Sequence, residues 1–531
     1  MTTARPPRAA AEPPSVVAAL LRAALVGACL AAIAVTAWAL ALRLRYPYDL
    51  EWMEGGMLCH ALRIARGQPL YGPPSVDFIP YLYTPLYPWL LAKLGGVEGI
   101  GYLLGRTISL LSLGGTALLG YVYARRAGGS RAAALLVPAL LATAYVPTGA
   151  WYDLARPDTL FLFLVTAALL CGFWGRRRPA AIVGAGLLMV AAFFTKQTAS
   201  PFMLGLGLVL LPLSWRAALL YGATLAVVGL PALGWANRST DGWFWTYVSR
   251  LHRMHDFYPL RAAVGSSVRL LLLLGPAVLL VPWALARRRS PELLFAVVLA
   301  ALGVAVAALG YGTQWAFTNA FIPGVFFPAI AIATAAGRLT VGDASARPPR
   351  LRPIVVYLLI APTLVLSTGI ALPWARARLP FGKTIGLPDD EPTMRQLRSF
   401  VPTARDTQEG AALVRRLAAT PGEVLVPFHP FYAHLAGKRP YLHRMGVMDV
   451  GRAGMGVPRG LGEAIAERRF SLIVMDDKLD GTQQQWPGLA ASYHVTGRVT
   501  GPRAFSGAPT RPRDLWEPIA PPEPSDPGDE P

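Results

Sequence analysis

Charge is scarce in these 531 residues. Asp, Glu, Lys and Arg together make up 15% of the chain, against about a quarter in an ordinary soluble protein. That shortage argues against a soluble fold of this size. Cysteine is scarcer still: Cys29, Cys59 and Cys171 are the only three. Cys29 and Cys171 fall inside apolar runs, so no disulfide framework is implied. Acidic residues are outnumbered, 30 against 50 basic ones, for a net charge of +20 and a pI near 10.3. A basic surplus can serve nucleic acid, but no RNA- or DNA-binding signature accompanies it. The short alternating segments of a transmembrane β-barrel are absent. So is any internal repeat, which weighs against the duplicated halves of many transporters.

What is abundant is apolar. Hydrophobic residues make up 54% of the chain and the mean hydropathy is +0.41. Apolar runs of roughly 20 residues recur, each about long enough to cross a bilayer as a helix. The fold class read from this is an α-helical polytopic membrane protein. The first run, 16–42, exceeds the roughly 7–15 residues of a signal-peptide core. It is read as a retained helix, with residues 1–15 as a cytoplasmic tail.

Arginines in short loops set the topology, because such loops favour the cytoplasm. They stand at Arg125, Arg126 and Arg131, at Arg176–Arg178, at Arg216, at Arg287–Arg289, and at Arg338, Arg347, Arg350 and Arg352. Placing all of these inside predicts spans at 16–42, 98–123, 131–149, 158–174, 180–195, 200–214, 216–236, 266–286, 292–311, 319–337 and 353–373. That is about eleven helices, with the N-terminus inside and the C-terminus outside. The segments 43–94, 151–158, 195–200, 237–267 and 312–319 then share the outer face. Residues 16–373 form the transmembrane domain, with 43–94 as its first outer loop. Residues 374–519 alternate helical and strand patterns, which predicts a small extracytoplasmic α/β domain. The expected elements are helices at 406–419 and 461–469 and strands at 422–426 and 470–475. The proline-rich, acidic tail 520–531 reads as disordered.

The first outer loop concentrates chemistry. Asp49, Glu51 and Glu54 follow the first helix, and a helix is expected over 51–66. Tyr81, Tyr83, Tyr87 and Trp89 come next, beside Pro80, Pro85 and Pro88. Aromatics of this kind also serve as interfacial anchors. A second outer segment runs Trp151-Tyr152-Asp153-Leu154-Ala155-Arg156-Pro157-Asp158, where Asp158 also suits a helix N-cap. A third holds Lys196 and Gln197 at the outer end of a span, where a lysine either snorkels or meets an anion. In 237–267, aromatics suited to sugar faces alternate with arginines and histidines; an interfacial amphipathic helix is the alternative. His429, His434 and His443 are spaced too irregularly to read as a metal site. Arg43 and Arg45 stand outside against the usual bias, to meet a phosphate or to snorkel.

These motifs, in this order, resemble the GT-C-type glycosyltransferases, among them the protein O-mannosyltransferases and the aminoarabinose lipid A transferases. The resemblance rests on the acidic loop, on Ala61, Gly67 and Tyr71, and on the Pro85-Leu86-Tyr87 entry to the next helix. It implies a GT-C-like fold and transfer of a sugar from a polyprenyl-phosphate donor to a lipid, glycan or protein acceptor among membrane lipids. It implies a carboxylate base that takes the acceptor proton while the lipid phosphate leaves with inversion. The family's adjacent Asp-Glu pair is broken here: counted back from Gly67, Glu54 holds the Glu place and Met53 the Asp place. Glu54 is therefore the leading base, with Asp49 and Glu51 as alternatives. Asp153 or Asp158 matches the family's second acidic position, and Lys196 its phosphate-facing lysine. Arg156, Gln197, Tyr81, Tyr83 and Tyr87 are the remaining substrate-binding candidates. Some members use a divalent cation and others do not, and these acidic groups could hold one. A transporter or lipid flippase is the alternative function, disfavoured because the charges cluster at outer helix ends rather than at mid-membrane.

Overall fold

The structure is a computed structural model and describes residues 16–340, 351–379, 382–387, 392–476 and 486–520. The tail 1–15 and all but Ala520 of the tail 520–531 lie outside the described residues, as do Arg347 and Arg350. The chain divides into two compact units. One comprises Met1–Arg45, Arg106–Trp235 and His255–Val401; the other comprises Tyr46–Gly105, Ala236–Met254 and Pro402–Pro531.

The first unit is helical. Among the described residues, six helices are long and apolar enough to cross a membrane: Val16–Leu44, Tyr102–Arg126, Trp215–Arg238, Arg261–Arg287, Pro291–Gly312 and Thr318–Thr340. Two of them, Tyr102–Arg126 and Trp215–Arg238, run across a unit boundary. Five shorter apolar helices lie at Arg131–Thr143, Asp158–Trp174, Pro179–Thr195, Gln197–Leu213 and Leu351–Leu366. Helices this apolar on every side belong in a bilayer, and the chain is a multi-pass membrane protein. Thr318–Thr340 forms the centre: 94% of its most apolar stretch is buried, against 11% for Val16–Leu44. It packs against Pro291–Gly312, where a Cβ on Gly303 would stand 2.5 Å from the carbonyl oxygen of Pro323. Only glycine lets the backbones come so close.

The span predicted at 98–123 is displaced and runs Tyr102–Arg126. Two predicted spans are clearly shorter than expected. The span 131–149 ends at Thr143. The span 353–373 ends at Leu366, and Gly369 turns at φ 82° before a short helix Leu372–Arg378. No continuous amphipathic helix forms over 237–267. Gly242, at φ 83°, opens a short turn at Trp243–Trp245, followed by a π-helical turn at Thr246–Leu251.

The second unit joins Tyr46–Gly105 to the C-terminal residues. Its sheet has the order β1(Glu423–Leu425), β2(Phe470–Asp476), β4(Pro512–Pro518), β3(Tyr493–Arg498). β1 and β2 run parallel, with Leu425 opposite Ile473, while β4 is antiparallel to both of its neighbours. Leu472, Ile473, Val474 and Met475 are completely buried, as a strand covered on both faces should be. The helices at Ala404–Ala419 and Leu461–Ala466 fall where the sequence pattern put them. The segment after the first helix is hydrogen-bonded to this sheet domain. The amides of Phe505 and Ser506 donate to the Leu50 carbonyl at 2.8 and 2.9 Å, and Leu442 donates to Val76 at 3.1 Å. Tyr48 stacks on Tyr432 with ring centroids 5.6 Å apart. Residues 46–105 therefore pack with the C-terminal domain, whereas the sequence division set them in the transmembrane domain. Their aromatic and polar side chains find partners on the sheet domain that an apolar helix cannot offer.

Candidate active site

The acidic loop of the second unit builds its site around the helix Glu54–Ala65. Orphan amides at a helix start attract carboxylates. Oδ1 of Asp49 accepts from the Gly55 amide at 2.7 Å, and Oε2 of Glu54 accepts from the Leu50 amide at 2.9 Å. The Glu54 amide in turn donates to the Glu51 carbonyl at 2.8 Å. All three acidic side chains are buried. The two glycines at this turn are required by close approach. A Cβ on Gly55 would meet Asp49 Oδ1 at 2.8 Å, and one on Gly56 would meet the Tyr81 hydroxyl at 1.7 Å.

Asp49 has a partner far along the chain. Nδ1 of His429 lies 2.8 Å from Asp49 Oδ2, and Nε2 of the same ring lies 3.1 Å from Asp476 Oδ2. The topology explains the meeting. β1 and β2 are parallel neighbours, so their C-terminal ends share an edge of the sheet. His429 follows the end of β1, and Asp476 is the last residue of β2. Burial alone would lower the pKa of His429. The Asp476 and Asp49 carboxylates outweigh it and push it up to about 10, so the ring is an imidazolium donating from both nitrogens. Burial raises the Asp49 carboxyl, and the imidazolium works against that rise. The Tyr102 hydroxyl lies beside the same carboxylate.

Two further histidines are structural. His60 sits between the Gly56 carbonyl, 2.6 Å from Nδ1, and the Tyr81 amide, which donates to Nε2 at 2.7 Å. His443 accepts from the Met445 amide at 3.0 Å and donates to the Trp52 carbonyl at 3.1 Å. Burial pushes its pKa down to about 3, so it is neutral. Tyr81 and Tyr87 are buried, and the Tyr87 hydroxyl donates to the Gly105 carbonyl at 3.1 Å. Tyr83 is half-buried, and its carbonyl accepts from Tyr71 at 2.7 Å.

The first unit holds the other candidates. Asp153 is fully buried and paired: Arg43 Nε donates to Oδ2 at 2.6 Å and the Tyr145 hydroxyl to Oδ1 at 2.9 Å. Arg43 also donates to the carbonyls of Phe400, at 2.6 Å, and Ala150, at 3.1 Å. It neither snorkels nor faces solvent. Asp158 collects Lys196 at 2.7 Å, Asn319 at 3.0 Å and the Trp151 indole at 3.2 Å. Arg156 is buried with its guanidinium over the Trp151 ring, 5.6 Å from the centroid. Gln197 starts a 3₁₀ turn beside Lys196. The structure thus brings Lys196, Asp158, Asn319, Trp151 and Arg156 together, and ties Asp153 to Arg43.

Among the described residues, no group of three or more His, Cys, Asp or Glu side chains is arranged to hold a metal ion. The His429 ring already occupies the gap between Asp49 and Asp476 with both nitrogens. From sequence, His429 was weighed only as a metal ligand, and Asp476, Asn319 and the Arg43 pairing were not singled out. The one available signal was the position of Arg43 against the charge bias.

No protein-family model matches the sequence, and no curated protein matches it in sequence. In structure the chain is similar to ArnT from Cupriavidus metallidurans. For ArnT bound to undecaprenyl phosphate the TM-score is 0.57 at 14% identity, over 92% of this chain and 97% of that one. For ArnT in the apo state it is 0.54 at 16% identity, over 93% and 97%. The chain shares the overall fold of ArnT.

Proposed function

We propose that this protein is a GT-C-type glycosyltransferase that moves a sugar from a polyprenyl-phosphate-linked donor to an acceptor hydroxyl on a lipid, glycan or protein. The site is placed on the outer face of a bacterial inner membrane. The proposed topology has eleven crossings, the N-terminus in the cytoplasm and the sheet domain outside it. The undecaprenyl phosphate bound by the structurally similar ArnT supports a lipid-phosphate carrier.

The observation that carries the reading is the Asp49–His429–Asp476 chain at the start of the Glu54–Ala65 helix. Both Asp49 and Glu54 accept a backbone amide; Asp49 is taken as the general base in preference to Glu54 because it is the one paired with His429. In the proposed step Asp49 removes the acceptor hydroxyl proton. The acceptor oxygen attacks the anomeric carbon, and the sugar–phosphate C–O bond breaks with inversion. The lipid phosphate departs with the bonding electrons. His429 acts through Asp49, holding one carboxylate oxygen in place, and is a positioning residue. Lys196, with Arg156, is assigned to the phosphate.

The test is reconstitution. The glycan or glycolipid lost on gene deletion identifies the acceptor. Purified protein in liposomes should then transfer sugar to it from a polyprenyl-phosphate donor, releasing polyprenyl phosphate in equal amount. Movement of lipid across the bilayer with no such release would favour a flippase instead.

A further inference from the structure

A cavity of about 500 Å³ in the second unit takes no part in the reaction proposed above. It is lined by Arg63 and Arg66 at the end of the Glu54–Ala65 helix, by Lys438 and Arg439, and by Asp77. Four cations therefore meet one carboxylate. Asp77 is already engaged by Arg439 at 2.8 Å. Among the described residues, neither Arg63, Arg66 nor Lys438 forms a close ion pair, although Arg63 feels the Asp77 charge.

Three of the cations, Arg63, Lys438 and Arg439, also rest on neutral groups. Arg63 Nε donates to the Pro69 carbonyl at 2.6 Å, and its guanidinium lies 4.7 Å from the Phe78 ring centroid. Lys438 Nζ donates to the carbonyls of Thr420 at 2.7 Å and Gly422 at 3.1 Å. The Arg439 guanidinium lies 5.2 Å from the Tyr441 ring centroid. Arg66 is exposed and makes no side-chain hydrogen bond or ion pair with the described residues. Like charges held around a small volume repel one another, and a bound anion would relieve that repulsion. Burial lowers the pKa of Arg63; the Asp77 carboxylate works against that fall, and the like charge of Arg439 adds to it.

We propose that this cavity binds a phosphate-bearing group, gripped by Arg63, Arg66, Lys438 and Arg439. Guanidinium forks match phosphate oxygens in pairs, and an ammonium adds a point charge beside them. The two aromatic rings already under the arginines hold those forks in place, so little side-chain freedom is lost on binding. The group belongs either to a soluble phosphate compound or to a phospholipid head. The site stands whether or not Asp49 is the base of a transfer reaction.

The experiment uses the full-length protein in detergent, with inorganic pyrophosphate as the probe and calorimetry as the readout. One saturable site is expected, weakening as salt rises from low to physiological strength. Charge-assisted hydrogen bonds contribute about 1.5–3 kcal/mol each, so Arg66→Ala and Arg439→Ala should each weaken binding about tenfold or more. Asp77→Asn, which removes the one competing carboxylate, should tighten it. Unfolding midpoints check that the variants are folded; Arg66→Ala removes an exposed side chain with no described polar partner. In nanodiscs, weaker pyrophosphate binding with phosphatidylglycerol than with phosphatidylcholine identifies a lipid head as the source, and equal binding identifies a soluble compound. The proposal is overturned if pyrophosphate shows no saturable binding. It is equally overturned if both arginine variants bind like wild type while Lys196→Ala does not.

Discussion

His429 Nδ1 stands 2.8 Å from Asp49 Oδ2, although 380 positions separate the two residues in sequence. The imidazolium supplies a fixed charge and a fixed donor to a buried carboxylate. A base in that setting has one orientation and a perturbed affinity for protons.

The first expectation concerns the identity of the base. Amide variants keep shape and remove the proton acceptor. Asp49→Asn should lower kcat for sugar transfer by about 10² to 10⁴-fold, the usual contribution of a general base. Glu51→Gln and Glu54→Gln should act more mildly. Near wild-type rates in all three purified variants would move attention to Asp158.

Replacing His429 should alter the pH profile as well as the rate. The imidazolium lowers the Asp49 pKa, so His429→Gln should raise it. The acidic limb of kcat/KM should then move to higher pH, because Asp49 must be ionised to work. A variant whose rate falls with an unmoved limb would reduce His429 to a packing role.

Stability should fall on both sides of neutrality for separate reasons. His429 has its pKa raised from 6.5 to about 10. Its contribution is full below pH 6.5 and is lost as pH climbs through 10. His443 has its pKa lowered from 6.5 to about 3. Its contribution is full above pH 6.5 and is lost as pH drops toward 3. Thermal unfolding midpoints across pH should show His429→Gln flattening the alkaline side only. His443→Asn, which keeps a helix-capping side chain, should flatten the acidic side only.

Lys196 and Asp158 form a mostly buried pair, with side-chain exposures of 18% and 8%. Lys196→Met should destabilise by about 3–5 kcal/mol, since it leaves a buried carboxylate without its cation. Adding Asp158→Asn should restore much of that stability. Donor KM should stay high in the double variant if Lys196 meets the lipid phosphate. A double variant with wild-type KM would make the pair purely structural.

Topology has its own measurement. A reporter active only outside the cytoplasm, fused after Trp516, should be active. Activity from a cytoplasm-only reporter at that point would reverse the proposed orientation and the outer-face site with it.

The helical membrane class was legible in the sequence because the bilayer imposes a length and a polarity on each crossing, and both are local. The strand at Phe470–Asp476 and the helix after Thr403 were legible for a similar reason: their patterns complete themselves within one element. The acidic loop announced itself by density. What it could not announce is which carboxylate is paired with what. Asp49, Glu51 and Glu54 look alike over six residues, and only the parallel pairing of β1 with β2 brings His429 and Asp476 to one of them. The same holds for Asp153, a good candidate by position until Arg43, 110 residues earlier, is found against it. Spacing along a chain specifies periodic local structure, whereas charge pairing across hundreds of residues depends on sheet register and helix packing, which only the folded structure fixes.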